Sequence, residues 1–252
     1  MNWTSLLGAR RVFAAVLVFC ALAQASEAPK DKQDATASGA SIAAHDRQAA
    51  AMQLLERTRA KIEELRSVKA RFVQEKHLSM LTAPVVSKGE FFYKAGRKFS
   101  WHYFPPDESF TISDGTRIWL YFPALKQAEV YDTQRFKTRS RTFEKLCLGF
   151  ERPLCDLADA FSIELTAETQ ADFEVLLRPR EEVLARVIAE LRILISKETG
   201  LPVRFYSTEK NDDWTSISFT ETEVNQDIAD SVFSFVAPAG VTADEKHGPS
   251  SY

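Results

Sequence analysis

The chain of 252 residues has few of the residue types that build nucleotide, nucleic-acid and metal sites. Only nine residues are glycine, which leaves little material for the glycine-rich loops that hold phosphate groups. Lys and Arg together number 32 against 35 Asp and Glu, so the basic excess that binds nucleic acid is missing. None of the four histidines lies at metal-ligand spacing from another histidine or a cysteine. We therefore expect no nucleic-acid partner, no metal and no other cofactor.

Catalytic signatures are missing as well. The sequence contains no H-E-x-x-H, G-x-S-x-G, G-x-G-x-x-G or P-loop pattern. Two adjacent acidic pairs, Glu181-Glu182 and Asp212-Asp213, lie in predicted loops; adjacent side chains on a strand point to opposite faces, so neither pair makes a convincing acid–base dyad. We expect a protein that is not an enzyme. Because a catalytic site can be assembled from residues distant in sequence, an exported hydrolase is kept as an alternative.

Long apolar runs are absent except for one near the N-terminus. Arg10 and Arg11 precede the run Val12–Ala23, which is followed by Gln24 and Ala25. A basic region, an apolar stretch and an A-x-A site are typical of a cleavable secretory signal peptide. The run is shorter than the roughly 20 apolar residues needed to span a bilayer. We predict that residues 1–25 are a signal peptide and that the protein is exported.

The mature chain is predicted to begin with a flexible leader. Residues 26–44 consist mainly of Ala, Ser, Lys, Asp and Gln and bury too little apolar surface to offset the entropy of ordering. Residues 45–252 are predicted to form one domain, since no linker or internal repeat divides them. An amphipathic helix of about 20 residues opens that domain. Residues of its predicted core-facing side recur at helical spacing with charged residues between them: Ala51, Leu55, Thr58, Ile62 and Leu65.

From Val68 the apolar period changes to two, which is the period of a β-strand. The pattern predicts about ten short antiparallel strands, among them Arg97–Phe104, Ala185–Ser196 and a final segment at Val232–Val236. Asp114-Gly115 is a strong signal for a tight hairpin between two of them. Many short strands with one long helix favour a single curved sheet or barrel.

Aromatic residues are abundant, with 18 Phe, 4 Trp and 6 Tyr, and both faces of several strands are apolar. A sheet with one solvated face normally alternates apolar and polar residues. Both apolar faces of the sheet have to be shielded from water by other parts of the chain, and the sequence predicts only one long helix that can do so. The aromatics therefore form either an ordinary core or the lining of a cavity for an apolar guest. The candidate cavity residues are Phe91, Tyr93, Phe99, Trp101, Tyr103, Trp119, Tyr121, Leu191 and Ile193.

Two of the three cysteines, Cys147 and Cys155, follow the predicted cleavage site. An exported protein meets an oxidising compartment, which favours a disulfide. Gly149 and Pro153 lie between the two cysteines and permit the chain reversal that a bridge requires, because a continuous helix would hold them about 12 Å apart. We predict a Cys147–Cys155 disulfide; the alternative is two buried free thiols.

Taken in order, several segments resemble the outer-membrane lipoprotein carrier (LolA) family. The resemblance runs from about Leu54 to Val241. The segments that carry it are Ser67–Gln74, Gly89–Phe91, Phe99–Trp101, Pro106–Ser109, Ser113–Gly115, Ile118–Tyr121 and Phe233–Val241. The resemblance implies a mainly β (α+β) fold, an unclosed antiparallel β-barrel or curved sheet lidded by helices. It also implies a periplasmic carrier, expected to be a monomer, that receives lipidated proteins from an inner-membrane ABC transporter and passes them to an outer-membrane receptor.

Only some of the functional residues of the LolA family have a matching residue in this sequence. The family's aromatic residue associated with ligand transfer falls on Phe99, and its tryptophan falls on Trp101. The basic residue thought to hold the lid closed falls on Ala95, so Arg97 becomes the candidate lid or gating residue. The long leader and the cysteine pair are further departures. These differences suggest a diverged paralogue that carries a different lipid.

Two hypotheses from different classes follow from these observations. The leading one is a periplasmic carrier that binds acyl chains of lipoproteins or of another lipid in a hydrophobic cavity. The second is a periplasmic domain that binds lipids or lipidated proteins as a sensor and transports nothing. An acyl chain needs cover in water because each buried methylene contributes about 0.8 kcal/mol. A carrier therefore needs a moderately apolar, deformable cavity.

Overall fold

The structure, a computed structural model, describes residues 38–133, 154–186, 188–209 and 211–246. One long helix, α1 (Ser38–Glu63), precedes the strands, and a short helix, α2 (Glu182–Ala185), interrupts them. Short 3-10 segments lie at Pro123–Leu125, Leu154–Asp159 and Asp230–Phe233. The strands are β1 (Ser67–His77), β2 (Val85–Lys94), β3 (Lys98–Tyr103), β4 (Ser109–Asp114), β5 (Arg117–Phe122), β6 (Gln127–Asp132), β7 (Phe161–Glu168), β8 (Asp172–Pro179), β9 (Ile188–Ser196), β10 (Pro202–Glu209), β11 (Trp214–Val224) and β12 (Thr242–Lys246).

The strands form one sheet in the order β12-β6-β5-β4-β3-β2-β1-β11-β10-β9-β8-β7. Neighbouring strands are antiparallel except β12, which pairs in parallel with β6 at one edge. The sheet is curved and unclosed, which confirms the predicted mainly β fold class. The sequence indicated about ten strands, and the described residues form twelve.

Helix α1 packs on one face of this sheet, which we call the inner face. Ala51, Leu54 and Leu55 of α1 lie in a core with apolar side chains from β7, β8 and β9. Farther along α1, Ile62 joins a second core that also includes residues of β1, β2, β3 and β11. Phe205 of β10 packs against both cores, so apolar contact is continuous along the inner face.

The opposite, outer face is covered by the chain that follows β11. Lys94 donates hydrogen bonds to the Ile228 carbonyl and to Asp230 Oδ1, each at 2.8 Å. These bonds hold the 3-10 segment Asp230–Phe233 near β3 and β4, and Phe233 is buried. Hydrogen bonds from Lys94 and Lys98 lower the pKa of Asp230. The second cover that two apolar faces require is therefore a C-terminal segment with little regular structure.

Three predicted element boundaries are wrong. Arg97 precedes β3 and has a φ of 66°, because the chain turns at Gly96 and Arg97 before pairing. Residues Glu182–Ala185 form a helical turn, so the strand predicted from Ala185 begins at Ile188. The predicted final strand at Val232–Val236 is partly 3-10 helix, and the last strand is β12. In each case the alternation of apolar and polar residues is too short to determine the strand boundary. A turn, or packing on the outer face, determines it instead.

Helix α1 begins at Ser38, inside the segment predicted as a leader. The alanine-rich sequence there has high intrinsic helix propensity and continues the helix toward the N-terminus. The signal peptide at residues 1–25 and the first part of the leader lie outside the described residues and stay predictions.

The predicted disulfide is not supported. Cys155 lies in the segment Leu154–Asp159 as a buried free thiol, and Cys147 lies outside the described residues. The Cys155 Sγ faces α1 and accepts a hydrogen bond from Arg59 Nη2 at 3.0 Å. Burial raises the pKa of this thiol.

The glycines of two adjacent hairpin turns differ in how closely they are packed. Gly96 and Gly115 have φ values of 97° and 96°, where side chains are strained. A Cβ atom on Gly115 would collide with the Gly96 carbonyl oxygen, whereas a Cβ on Gly96 would meet nothing within 4 Å. We predict that Gly96→Ala lowers the free energy of unfolding by about 1–3 kcal/mol through backbone strain. Gly115→Ala is expected to lower it further because the collision adds to the same strain.

Urea unfolding of the two variants and the parent protein measures this difference. Equal losses for Gly96→Ala and Gly115→Ala would contradict the predicted collision.

Candidate functional site

The candidate site is the inner face of the sheet over β1 to β5, beyond the part covered by α1. Residues that pair directly in neighbouring strands lie on the same face. Phe91 pairs with Trp101, Trp101 with Thr111 and Thr111 with Leu120, so all four side chains point to the inner face. On β1 the same face carries Phe72, and on β11 it carries the residue paired with it, Phe219.

An aromatic cluster occupies the middle of this face. The ring centroids of Phe72 and Trp101 are 5.0 Å apart, and those of Phe91 and Trp101 are 4.6 Å apart. Phe219 approaches both Phe91, at 6.0 Å, and Trp101, at 5.9 Å. These tilted and edge-to-face contacts are the favoured geometries of aromatic pairs. Phe72 and Phe91 are fully buried, while Trp101 is partly exposed and forms the accessible surface of the cluster.

A glycine makes the close packing of this cluster possible. A Cβ atom on Gly89 would lie 2.5 Å from Phe72 Cζ and would also collide with the His102 carbonyl oxygen. Without a side chain at Gly89, the Phe72 ring lies directly over the β2 backbone. The ring is then in edge-to-face contact with Tyr103, at a centroid distance of 4.9 Å.

Five of the nine predicted cavity residues lie together in the second core: Phe91, Tyr93, Phe99, Trp101 and Tyr103. Leu191 and Ile193 also lie on the inner face, but they are buried in the first core, which α1 covers. They adjoin the aromatic cluster through Phe205, which pairs with Ile193 and contacts Phe219.

Trp119 and Tyr121 were predicted to line the same cavity, and the structure places them on the outer face. Both contact Phe235 of the C-terminal segment, at centroid distances of 6.4 and 5.3 Å. The reason is the length of the β4–β5 turn. Ser113 pairs with Ile118, so odd-numbered residues of β4 share a face with even-numbered residues of β5. The inner face of β5 is formed by the residues that the sequence analysis left out: Ile118, Leu120 and Phe122.

The structure adds polar residues that the sequence analysis missed. Tyr103 Oη donates a hydrogen bond to Gln74 Oε1 at 2.9 Å, and both side chains are buried. Burial raises the pKa of the Tyr103 hydroxyl. Farther along β1, Lys76 is buried on the same face beside Thr215 of β11. The sequence contains a signal for these residues: Gln74 and Lys76 follow Phe72 at every second position of β1, so they lie on the same face as the buried aromatic ring.

Arg97, the candidate gating residue, lies in the β2–β3 turn. Its carbonyl oxygen accepts a hydrogen bond from Ser113 Oγ at 2.9 Å, which ties this turn to the end of β4. The role of Arg97 in holding a lid stays a prediction.

Within the described ranges, no group of three or more His, Cys, Asp or Glu side chains is arranged to hold a metal ion. In the same part of the chain, no helix is long and apolar enough to cross a membrane.

The model of one protein family, described as outer membrane lipoprotein carrier protein LolA, matches residues 63–236. The match covers more than half of the chain. The chain belongs to the LolA family. The matched region runs from the end of α1 through β11 to the segment that covers the outer face, so it includes the whole aromatic cluster.

Individual LolA relatives are distant. The outer-membrane lipoprotein carrier protein of Alkalilimnicola ehrlichii is 28% identical over 186 residues, which cover 74% of this chain and 81% of that protein. The protein of the same name from Yersinia enterocolitica is 39% identical over 69 residues; the match covers 27% of this chain and 34% of that protein. Among solved structures, an uncharacterized conserved protein from Thermus thermophilus has a TM-score of 0.52 at 11% identity, with coverage of 78% of this chain and 99% of that chain. That likeness concerns the fold.

The buried Tyr103–Gln74 hydrogen bond yields a stability prediction. Tyr103→Phe would leave the Gln74 amide buried without this partner, which costs about 1–3 kcal/mol of unfolding free energy. Tyr121→Phe is the matched control, because the Tyr121 hydroxyl lies on the outer face and makes no hydrogen bond within the described residues. We expect that control to change stability by less than about 0.5 kcal/mol.

Denaturant unfolding of both variants tests the comparison. If both variants lose the same amount of unfolding free energy, the hydrogen bond between Tyr103 and Gln74 does not stabilise the protein, and the prediction is wrong.

Proposed function

We propose that the protein is a periplasmic carrier that binds the acyl chains of lipoproteins, or of another lipid, on the inner face of its sheet. The observation that carries this proposal is the partly exposed Trp101 above the buried rings of Phe72 and Phe91, in a chain of the LolA family. The names of the relatives, which are lipoprotein carrier proteins, support the same class of ligand.

The chemistry of this surface suits an acyl chain. A hydrocarbon chain offers no hydrogen bonds, so it is held by apolar area and by contact with ring faces, and both are present around Trp101. Each methylene removed from water contributes about 0.8 kcal/mol. A chain that covers several residues of β1 to β5 is therefore bound firmly without a specific pocket.

Release is the second requirement of a carrier. Contacts between an acyl chain and rings are non-directional, so a bound chain can slide along the surface instead of leaving in one step. The function we propose needs no reaction, nucleotide or metal in the carrier itself. The donor in this proposal is an inner-membrane ABC transporter, which supplies the energy, and the acceptor is an outer-membrane receptor.

A pair of tryptophan substitutions tests the proposed binding surface. Trp101→Gln removes a ring from the inner face, while Trp119→Gln removes a ring from the outer face, where Phe235 covers it. An environment-sensitive fluorescent acyl probe reports binding to the purified full mature chain. We expect Trp101→Gln to weaken binding about tenfold, because the lost contact corresponds to roughly two methylenes. Trp119→Gln should bind the probe as the parent protein does.

Urea midpoints measured on the same samples separate a binding defect from unfolding. Absence of probe binding by the parent protein, or equal weakening in both variants, would contradict the proposal. Hydrolysis of an offered acyl ester by the parent protein would instead favour an enzyme. Mass spectrometry of material that copurifies with the protein would identify the lipid or lipoprotein it carries.

A further inference from the structure

One end of the inner face carries a buried lysine that an apolar surface does not require. Lys76 is 6% exposed and lies on the same face of β1 as Phe72 and Gln74. Buried lysines are normally paired. Among the described residues no hydrogen bond or ion pair of the Lys76 ammonium group is found, although its nitrogen is not a fully buried atom without a partner. Burial of the side chain lowers the pKa of Lys76.

An unsatisfied hydroxyl group lies beside Lys76. Thr215 of β11 pairs directly with Lys76 and is 5% exposed. Its hydroxyl oxygen has no hydrogen-bond partner in the part of the chain that the structure describes. A buried hydroxyl without a partner is unfavourable by about 1–3 kcal/mol. The Thr215 hydroxyl is therefore a buried group without a partner, and the Lys76 side chain lies directly beside it.

The charges around this pair indicate which acceptor fits. Glu209 and Asp213, in the β10–β11 hairpin, lie close enough to act on Lys76 through their charge, but neither forms an ion pair with it. Asp213 is already held by the Ser79 backbone N–H at 2.6 Å and by Asn211 Nδ2 at 3.0 Å. Two carboxylates near one ammonium group disfavour a further anion. An uncharged oxygen acceptor has no such penalty.

The position of the pair fits the head of an acyl chain. Lys76 lies four residues from Phe72 along β1, which is about 13 Å from the aromatic cluster at ~3.3 Å per residue. Val85, which pairs with Lys76 on β2, is 39% exposed, so this end of the inner face is open to solvent. At the other end, Ile62 and Leu65 pack against Val68 and close the surface.

We propose that Lys76 and Thr215 form a polar subsite that binds the uncharged carbonyl oxygen of an ester or amide at the head of an acyl chain. The hydrocarbon tail then lies over Trp101, and the group attached to the carbonyl extends past Val85 into solvent. This inference rests on the proposed function, and it assigns a direction to the bound chain. It also explains why the site retains a buried lysine.

Two ligands that differ in one carbonyl group test the subsite. One is 1-palmitoylglycerol, an ester; the other is 1-hexadecylglycerol, the ether with the same number of chain carbons. Displacement of the fluorescent acyl probe from the full mature chain gives the affinity of each. We expect the parent protein to bind the ester about tenfold more tightly than the ether, since hydrogen bonds to charged groups are the stronger ones. Lys76→Met and Thr215→Val should each reduce that preference, and the loss should be larger for Lys76→Met.

Lys69→Met is the matched control, because Lys69 is an exposed lysine on the other face of β1. It should keep the ester preference of the parent protein. Urea midpoints show whether each variant folds. Lys76→Met is expected to be at least as stable as the parent, since it replaces a mostly buried charged side chain with an apolar one of similar length. Should it fail to fold, Lys76→Gln and Thr215→Val carry the test.

The outcomes separate the two proposals. Equal binding of ester and ether by the parent protein would overturn the subsite and leave the proposed function intact. Failure to bind either ligand or the probe would overturn the proposed function. Binding of palmitate more tightly than 1-palmitoylglycerol, lost in Lys76→Met, would replace a carbonyl subsite with an anion site and overturn the inference as stated.

Discussion

A single sheet with apolar side chains on both faces has to be covered twice by the same chain. The protein meets this constraint with two different covers. Helix α1 lies on the inner face over β7 to β9, and the segment after β11 lies on the outer face over β3 to β5. The aromatic cluster lies on the inner face beyond the α1 residues of the first core, and Trp101 remains partly exposed there. The candidate site is thus the part of the inner face that the α1 residues of the first core leave uncovered.

The alternation of residues was sufficient to locate most strands. The Asp114-Gly115 turn that the sequence predicted lies between β4 and β5. Errors arose where alternation was short, as at Val232–Val236, where packing of Phe233 on the outer face decides the conformation. Helix propensity and strand alternation are local properties, whereas such packing depends on residues far away in the chain.

Which face a residue occupies was harder to predict than which strand it belongs to. Alternation along β5 places Trp119 and Tyr121 on one face and Ile118 and Leu120 on the other, but it does not say which set shares a face with Trp101. That relation is fixed by the number of residues in each turn, because one additional residue exchanges the two faces. The prediction grouped the aromatics of β3 and β5 in one cavity, whereas Trp119 and Tyr121 contact Phe235 on the outer face.

The order of the strands has a consequence for assembly. Strands β1 to β6 pair with their successors along the chain, as do β7 to β11, so each half of the sheet is a meander held by local contacts. The pairing of β1 with β11 joins the two meanders, and β12 returns to pair with β6 at the far edge. Such long-range pairings are slow to form because a large loop has to close. Phe72 faces Phe219 and Lys76 faces Thr215 across this junction. Phe219 and Thr215 therefore reach the proposed lipid-binding surface only when β11 pairs with β1, so a chain released before β11 is complete would lack this side of the surface.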